Sequence, residues 1–188
     1  ERNASVSTHN FNQLKSVINC TGILEETPEG ERIREKIGAQ ITGATKTEWE
    51  TMGVHLGYRY EASPILASDG TDEPHDDHRY YVPTARPGHR APHVWLGGGP
   101  PNGLSTLDLF GPGFVLLRLG TSPQSCDTFE RSARKRNIPL RVIDLDQADI
   151  LELYESPLVL VRPDGHVAWR GQTPPEDAEK LWDIVTGA

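Results

Sequence analysis

A chain of 188 residues is the size of one ordinary domain with an appendage. Its net charge of −8 excludes the basic footprint of a nucleic-acid binder, and no apolar run reaches the ~20 residues of a membrane helix. Hydrophobic residues make up only 36% and mean hydropathy is −0.52, so a large loop or exposed fraction is expected. Glu1-Arg2-Asn3 carries no signal-peptide apolar region and no initiator methionine, as expected of a fragment or a processed product. Two cysteines, Cys20 and Cys126, make no disulfide framework and read as free thiols of a reducing, cytoplasmic compartment.

Residues 1–53 read as interrupted helices. Phe11, Leu14, Val17 and Ile18 are spaced for one helix face. Thr27-Pro28-Glu29 is a helix start, with a capping threonine, proline at the first position and acids in the first turn. Ile33 and Ile37 then share a face of a helix over Glu29–Ile41, and Trp49 and Met52 belong to a weak third segment. These stripes are too narrow to bury a core, so a covering surface outside the chain is expected. Residues 54–92 read as a connector: a strand over Val54–Tyr60, then an extended path punctuated by Pro64, Pro74, Pro83, Pro87 and Pro92. A loop of that length points to a functional or interface-hugging role.

Residues 93–188 read as α/β. Strands His93–Leu96 and Leu104–Leu109 form a hairpin through the glycine- and proline-rich loop Gly97–Gly103. Strand Phe114–Leu119, a helix from about Pro123 to Arg136 and strand Leu140–Asp144 make a βαβ unit. A short helix over Asp149–Tyr154, a hairpin over 158–170 and a helix over about 174–186 complete the pattern.

Each candidate site fails a test of context. Pro74-His75-Asp76-Asp77-His78 offers metal-ligand types, but not at helix-face spacing, and reads as a solvated acidic loop. His89 and His93 read as interface or hydrogen-bonding residues. Gly97-Gly98-Gly99 and Gly111-Pro112-Gly113 lead into strands, whereas a phosphate cradle leads into a helix. Arg131, Arg134, Lys135 and Arg136 read as cations complementing a helix C-terminus. Cys126 sits near a helix start, where a dipole lowers a thiol's pKa, but reads as a small helix-face residue. No catalytic, cofactor-binding or metal residues are assigned.

The order of proline, strand, turn, strand and helix from Pro157 onward resembles the second half of a thioredoxin-type fold. A thioredoxin needs two cysteines two residues apart, which this chain lacks, so the fold is expected without the redox chemistry. The resemblance also implies a cis peptide at Ser156–Pro157. The expected fold class is α/β: a thioredoxin-like C-terminal domain, with a central mixed sheet flanked by helices, preceded by helices and a long extended connector.

Further phrases resemble the FAD-dependent aromatic-ring hydroxylases of the phenol hydroxylase type. They are Leu56-Gly57-Tyr58-Arg59-Tyr60 with Ser63-Pro64-Ile65, Arg86 through Leu96, Ser105 through Gly111, Leu158 through Arg170, and the opening Glu1-Arg2. The resemblance implies an intact enzyme that reduces FAD with NAD(P)H and hydroxylates an activated aromatic ring. This chain would follow the flavin fingerprints: 1–53 would close a flavin and substrate domain, 54–92 would connect, and 93–188 would be the thioredoxin-like domain. Its implied partners are the N-terminal FAD and substrate domain and a second copy in a homodimer. Its role would be structural, covering or dimer-forming, with no cofactor bound by this chain alone. The alternative reading is a stand-alone, non-redox thioredoxin-like interaction module.

Overall fold

The structure, a computed structural model, describes residues 4, 7, 8, 11, 12, 15, 20–97, 99–101 and 103–188. Leu14, Val17 and Ile18 of the first predicted helix face, and Glu1-Arg2, lie outside the described residues. The contacts divide the chain into two units, Glu1–Gly57 with His75–Val82, and Tyr58–Pro74 with Pro83–Ala188.

In the first unit, helix α1 spans Pro28–Trp49 and α2 spans Met52–His55. Thr27 caps α1, its side chain accepting from the Gly30 amide at 3.1 Å, and Pro28 occupies the first turn where its missing N–H is no loss. The helix continues past the predicted end at Ile41, because nothing between Ile41 and Trp49 breaks it. The predicted strand over Val54–Tyr60 is instead α2 and an extended exit. Leu56 and Gly57 donate back to the Met52 and Gly53 carbonyls at 2.9 and 3.0 Å. Gly53 has to be glycine, since a Cβ there would lie 1.9 Å from the Asp77 carbonyl oxygen.

In the second unit the elements are β1 (Trp95–Gly97), β2 (Leu104–Ser105), a 3-10 turn (Thr106–Leu109), β3 (Phe114–Leu119), α3 (Asp127–Lys135), β4 (Leu140–Leu145), α4 (Ala148–Tyr154), β5 (Leu158–Val161), β6 (Val167–Gly171) and α5 (Ala178–Thr186). β1 and β2 pair antiparallel, but the predicted strand over Leu104–Leu109 stops at Ser105. There the Ser105 amide and hydroxyl both donate to Asp108 Oδ2, at 2.7 and 3.0 Å, which turns the chain into the 3-10 helix. α5 starts at Ala178 because the Asp177 carboxylate accepts from the Lys180 amide at 2.9 Å and Pro174 and Pro175 precede it. The sheet order is β4-β3-β5-β6, with β3 and β4 parallel and the other pairs antiparallel. This is the mixed sheet flanked by helices that the sequence predicts. The Ser156–Pro157 bond, expected cis, is trans, and the cis bond among the described residues joins Pro100 and Pro101. Trans is the cheaper isomer by about 0.5–1 kcal/mol. In it the Pro157 carbonyl accepts from the Leu119 amide at 2.7 Å, so pairing with β3 starts at the proline.

Side chains alternate between two buried layers, as strand geometry requires. Leu116, Leu158, Leu160 and Ala168 meet α3 and α5 on one face, while Val115, Leu117, Val159, Val161 and Val167 meet α4, Ala85 and Ala91 on the other. β5, buried on both faces, is therefore a continuous apolar run. Trp182 centres the first layer. Its ring stacks on Phe129 at 4.4 Å, meets Phe114 edge-on at 5.4 Å, and its Nε1 donates to the Phe129 carbonyl at 3.3 Å. Trp182→Ala is expected to cost about 3–5 kcal/mol, read as a lower denaturant midpoint at unchanged slope.

Candidate functional site

Phrases far apart in the chain meet along β6 and the turn before it. Residues 88–91 bond to β6 and its turn through three backbone hydrogen bonds, two of which flank an Arg90–His166 pair. The Gly88 amide donates to the Val167 carbonyl at 2.8 Å, Val167 returns a bond to His89 at 2.9 Å, Ala91 donates to Gly165 at 2.9 Å, and Arg90 bridges His166. Tyr60 then donates to the Gly88 carbonyl at 3.0 Å, and Ala67 to the Ala168 carbonyl at 2.9 Å. Gly88 has φ +93°, and a Cβ there would sit 2.6 Å from the Tyr60 carbonyl oxygen, so glycine is required twice over. Pro92 ties the next phrase in: its carbonyl accepts from the Tyr154 hydroxyl at 2.7 Å and from the Thr106 hydroxyl at 2.8 Å.

Ion pairs reinforce this backbone seam. Arg170, only 8% exposed, donates Nε to Asp69 at 2.5 Å, Nη1 to Glu155 at 2.6 Å and Nη2 to the Thr71 hydroxyl at 3.4 Å. Burial pushes the Asp69 carboxyl up, but hydrogen bonds from Thr71 and Arg170 outweigh it and hold the group below its ordinary value. Arg59 and Arg86 each pair with both Glu61 and Glu73. Glu73 is held above its ordinary value, first by its hydrogen bond to Glu61. A cleft of about 250 Å³ opens here, lined by Tyr60, Glu61, Ser63, Asp69, Glu73 and Arg86 among others. Sequence reasoning misses this network. The available signal is Arg170 itself, a cation closing an apolar strand, which when buried needs a carboxylate partner.

Two histidines lie within the same seam. His166 is 1% exposed, with the Tyr58 and Tyr60 rings at 5.0 and 4.8 Å. Its Nδ1 is 3.3 Å from the Asp164 carbonyl. His89 is buried beside Arg59, Arg86, Arg170 and Glu61, and burial first of all, then Arg59, pushes its pKa down to about 4. His93, by contrast, is exposed and meets Trp95 edge-on at 4.9 Å.

Burial or internal contacts engage several of the remaining candidates. Cys126 is buried, and burial pushes its thiol up, against the lowering that a helix start provides. Neither cysteine is in a disulfide. Asp77 accepts from the Arg79 amide at 2.8 Å, and among the described residues no three His, Cys, Asp or Glu side chains group as a metal site. Arg136 of the basic cluster pairs with Glu179 and Asp183, both at 2.6 Å. At the strand-to-helix junctions, α3 opens with Asp127 and Glu130 and α4 with Asp149. Among the described residues no helix is long and apolar enough to cross a membrane.

Arg170→Ala is expected to destabilise the chain by about 3–5 kcal/mol, because it leaves the largely buried Asp69 carboxylate without its charge partner. Glu155→Gln, at a carboxylate that is 58% exposed, should cost less than about 1 kcal/mol in the same denaturant titration. A thiol reagent on the folded chain should modify exposed Cys20 and reach Cys126 only on addition of denaturant.

Comparison with known proteins supplies what the geometry leaves open. An FAD-dependent monooxygenase, apdD, of Emericella nidulans is 34% identical over 82% of this chain, which spans 27% of that protein. Phenol 2-monooxygenase of a Pseudomonas species is 29% identical over 87% of the chain and 29% of its own length. The chain thus spans less than a third of the curated relatives it matches. Among solved structures, RebC with bound 7-carboxy-K252c superposes with a TM-score of 0.82 and 37% identity, covering 99% of this chain and 34% of RebC. Residues 84–187 match the aromatic-ring hydroxylase C-terminal domain. Those residues comprise β1 to α5 and the 84–94 stretch that carries half of the seam, and on them the chain belongs to the aromatic-ring hydroxylase C-terminal family.

Proposed function

We propose that this chain is the C-terminal part of a flavoprotein monooxygenase that hydroxylates a phenolic substrate in the cytoplasm, with FAD and NAD(P)H bound by the preceding part. The observation that carries this reading is the domain match over 84–187 in a chain that spans only about a third of its relatives. Here the sheet serves as a thioredoxin-like support without redox chemistry. The buried Cys126, its thiol pushed up by burial, fits that role, as do the acidic helix starts at Asp127 and Asp149. The supporting surface covers the flavin and substrate region and contributes to a homodimer. Water kept out of such a site protects the oxygenating chemistry.

Titration with FAD, followed by flavin fluorescence, tests this directly. The chain alone should show no stoichiometric micromolar binding. Added to a preparation of the preceding flavin domain, it should co-purify with that domain and raise its substrate-dependent NAD(P)H oxidation. Tight FAD binding by the chain alone would overturn the reading, as would failure to associate with the flavin domain.

A further inference from the structure

The seam between residues 88–91 and β6 holds two buried histidines. His89 and His166 are 5% and 1% exposed, and the Nε2 atom of each is buried without a hydrogen-bond partner. They lie on the two segments that bond to each other, His89 accepting through its carbonyl from Val167 and His166 bridging Arg90. We propose that this seam is an acid-sensitive latch, shut while His89 and His166 are both neutral and released when they take up protons.

The charges facing His89 favour its neutral form, whereas at His166 it is burial that does so, against Asp164. His89 faces three arginines, Arg59, Arg86 and Arg170, against one carboxylate, Glu61. His166 faces Asp164, which favours its charged form, and Arg162 and Arg90, which oppose it. Asp164 is itself engaged, accepting from Arg162 at 3.0 and 3.2 Å. Burial is the largest cause of the downward shift at both sites. An opened seam returns each imidazole toward its ordinary value of 6.5, so the open state binds more protons. The latch is therefore at full strength above about pH 6.5 and weakens as the pH falls toward 4. Asp69 and Asp164, both held below the ordinary carboxylate value, titrate beneath that window.

Amide hydrogen exchange on the full chain between pH 7 and 4.5, expressed as protection factors, tests the latch. Protection at Gly88, Ala91 and Val167 should fall by up to about tenfold per pH unit for each histidine. Protection at Leu117 and Leu160 in β3 and β5 should stay level. In a chain carrying H89Q and H166Q the fall should flatten, and in Glu73→Gln, which removes the raised exposed carboxyl, it should persist. Should the double variant fail to fold, imidazole NMR titration of the unaltered chain decides. The two rings should stay neutral below pH 6 and charge in step with the loss of protection. Level protection at Gly88, Ala91 and Val167 would overturn the latch, as would an unchanged fall in the double variant or a flat profile in Glu73→Gln. So would parallel loss in β3 and β5, or rings that charge near pH 6.5 while the seam stays shut.

Discussion

A sheet covered on both faces still has edges, where backbone amides and carbonyls need partners. The seam of residues 88–91 along β6 meets that need, and much of the second unit follows from it. Because Val167 exchanges bonds with Gly88 and His89, Ala85 and Ala91 are drawn onto the apolar face beneath α4. Because Tyr60 bonds to Gly88, the 58–74 stretch is laid against the same seam, which brings Asp69 within reach of Arg170. The cation at the end of β6 can be buried only because that carboxylate arrives.

This arrangement gives the proline-punctuated connector a physical role. A segment with few apolar side chains cannot bury enough surface to order itself. Here it is ordered by main-chain bonds to a rigid sheet and by Arg59, Arg86 and Arg170, which span from one stretch of connector to another or to β6. Three arginines, four carboxylates and two buried histidines share a small volume there. Polar networks of this kind hold well when every member is satisfied and poorly when one changes its charge.

The family relationship fits the same physics. Helix α3 opens on acids, and burial pushes up the Cys126 thiol that precedes it. What the second unit offers is a stiff, doubly covered sheet with a strapped edge. Function in such a chain rests on what the sheet supports.

Much of the second unit is legible in the sequence because its signals are local. Apolar runs at 114–119 and 158–161, the Pro163-Asp164-Gly165 turn and the capping aspartate before α5 each act within a few residues, and the structure places elements at all of them. The absence of a redox pair is equally local. The helical turn over Met52–His55 and the early end of β2 are less legible. The first depends on the close approach of Asp77 to Gly53, the second on a serine–aspartate cap that competes with strand pairing. The seam and its ion network belong to the tertiary structure alone. Asp69 and Arg170 are a hundred residues apart, and their pairing depends on the register between 88–91 and β6, which no local pattern encodes. Composition and periodicity thus determine which segments are strands, helices and turns. Long-range backbone pairing decides which charges meet, because a buried arginine must find its carboxylate in space, wherever that carboxylate lies in the chain.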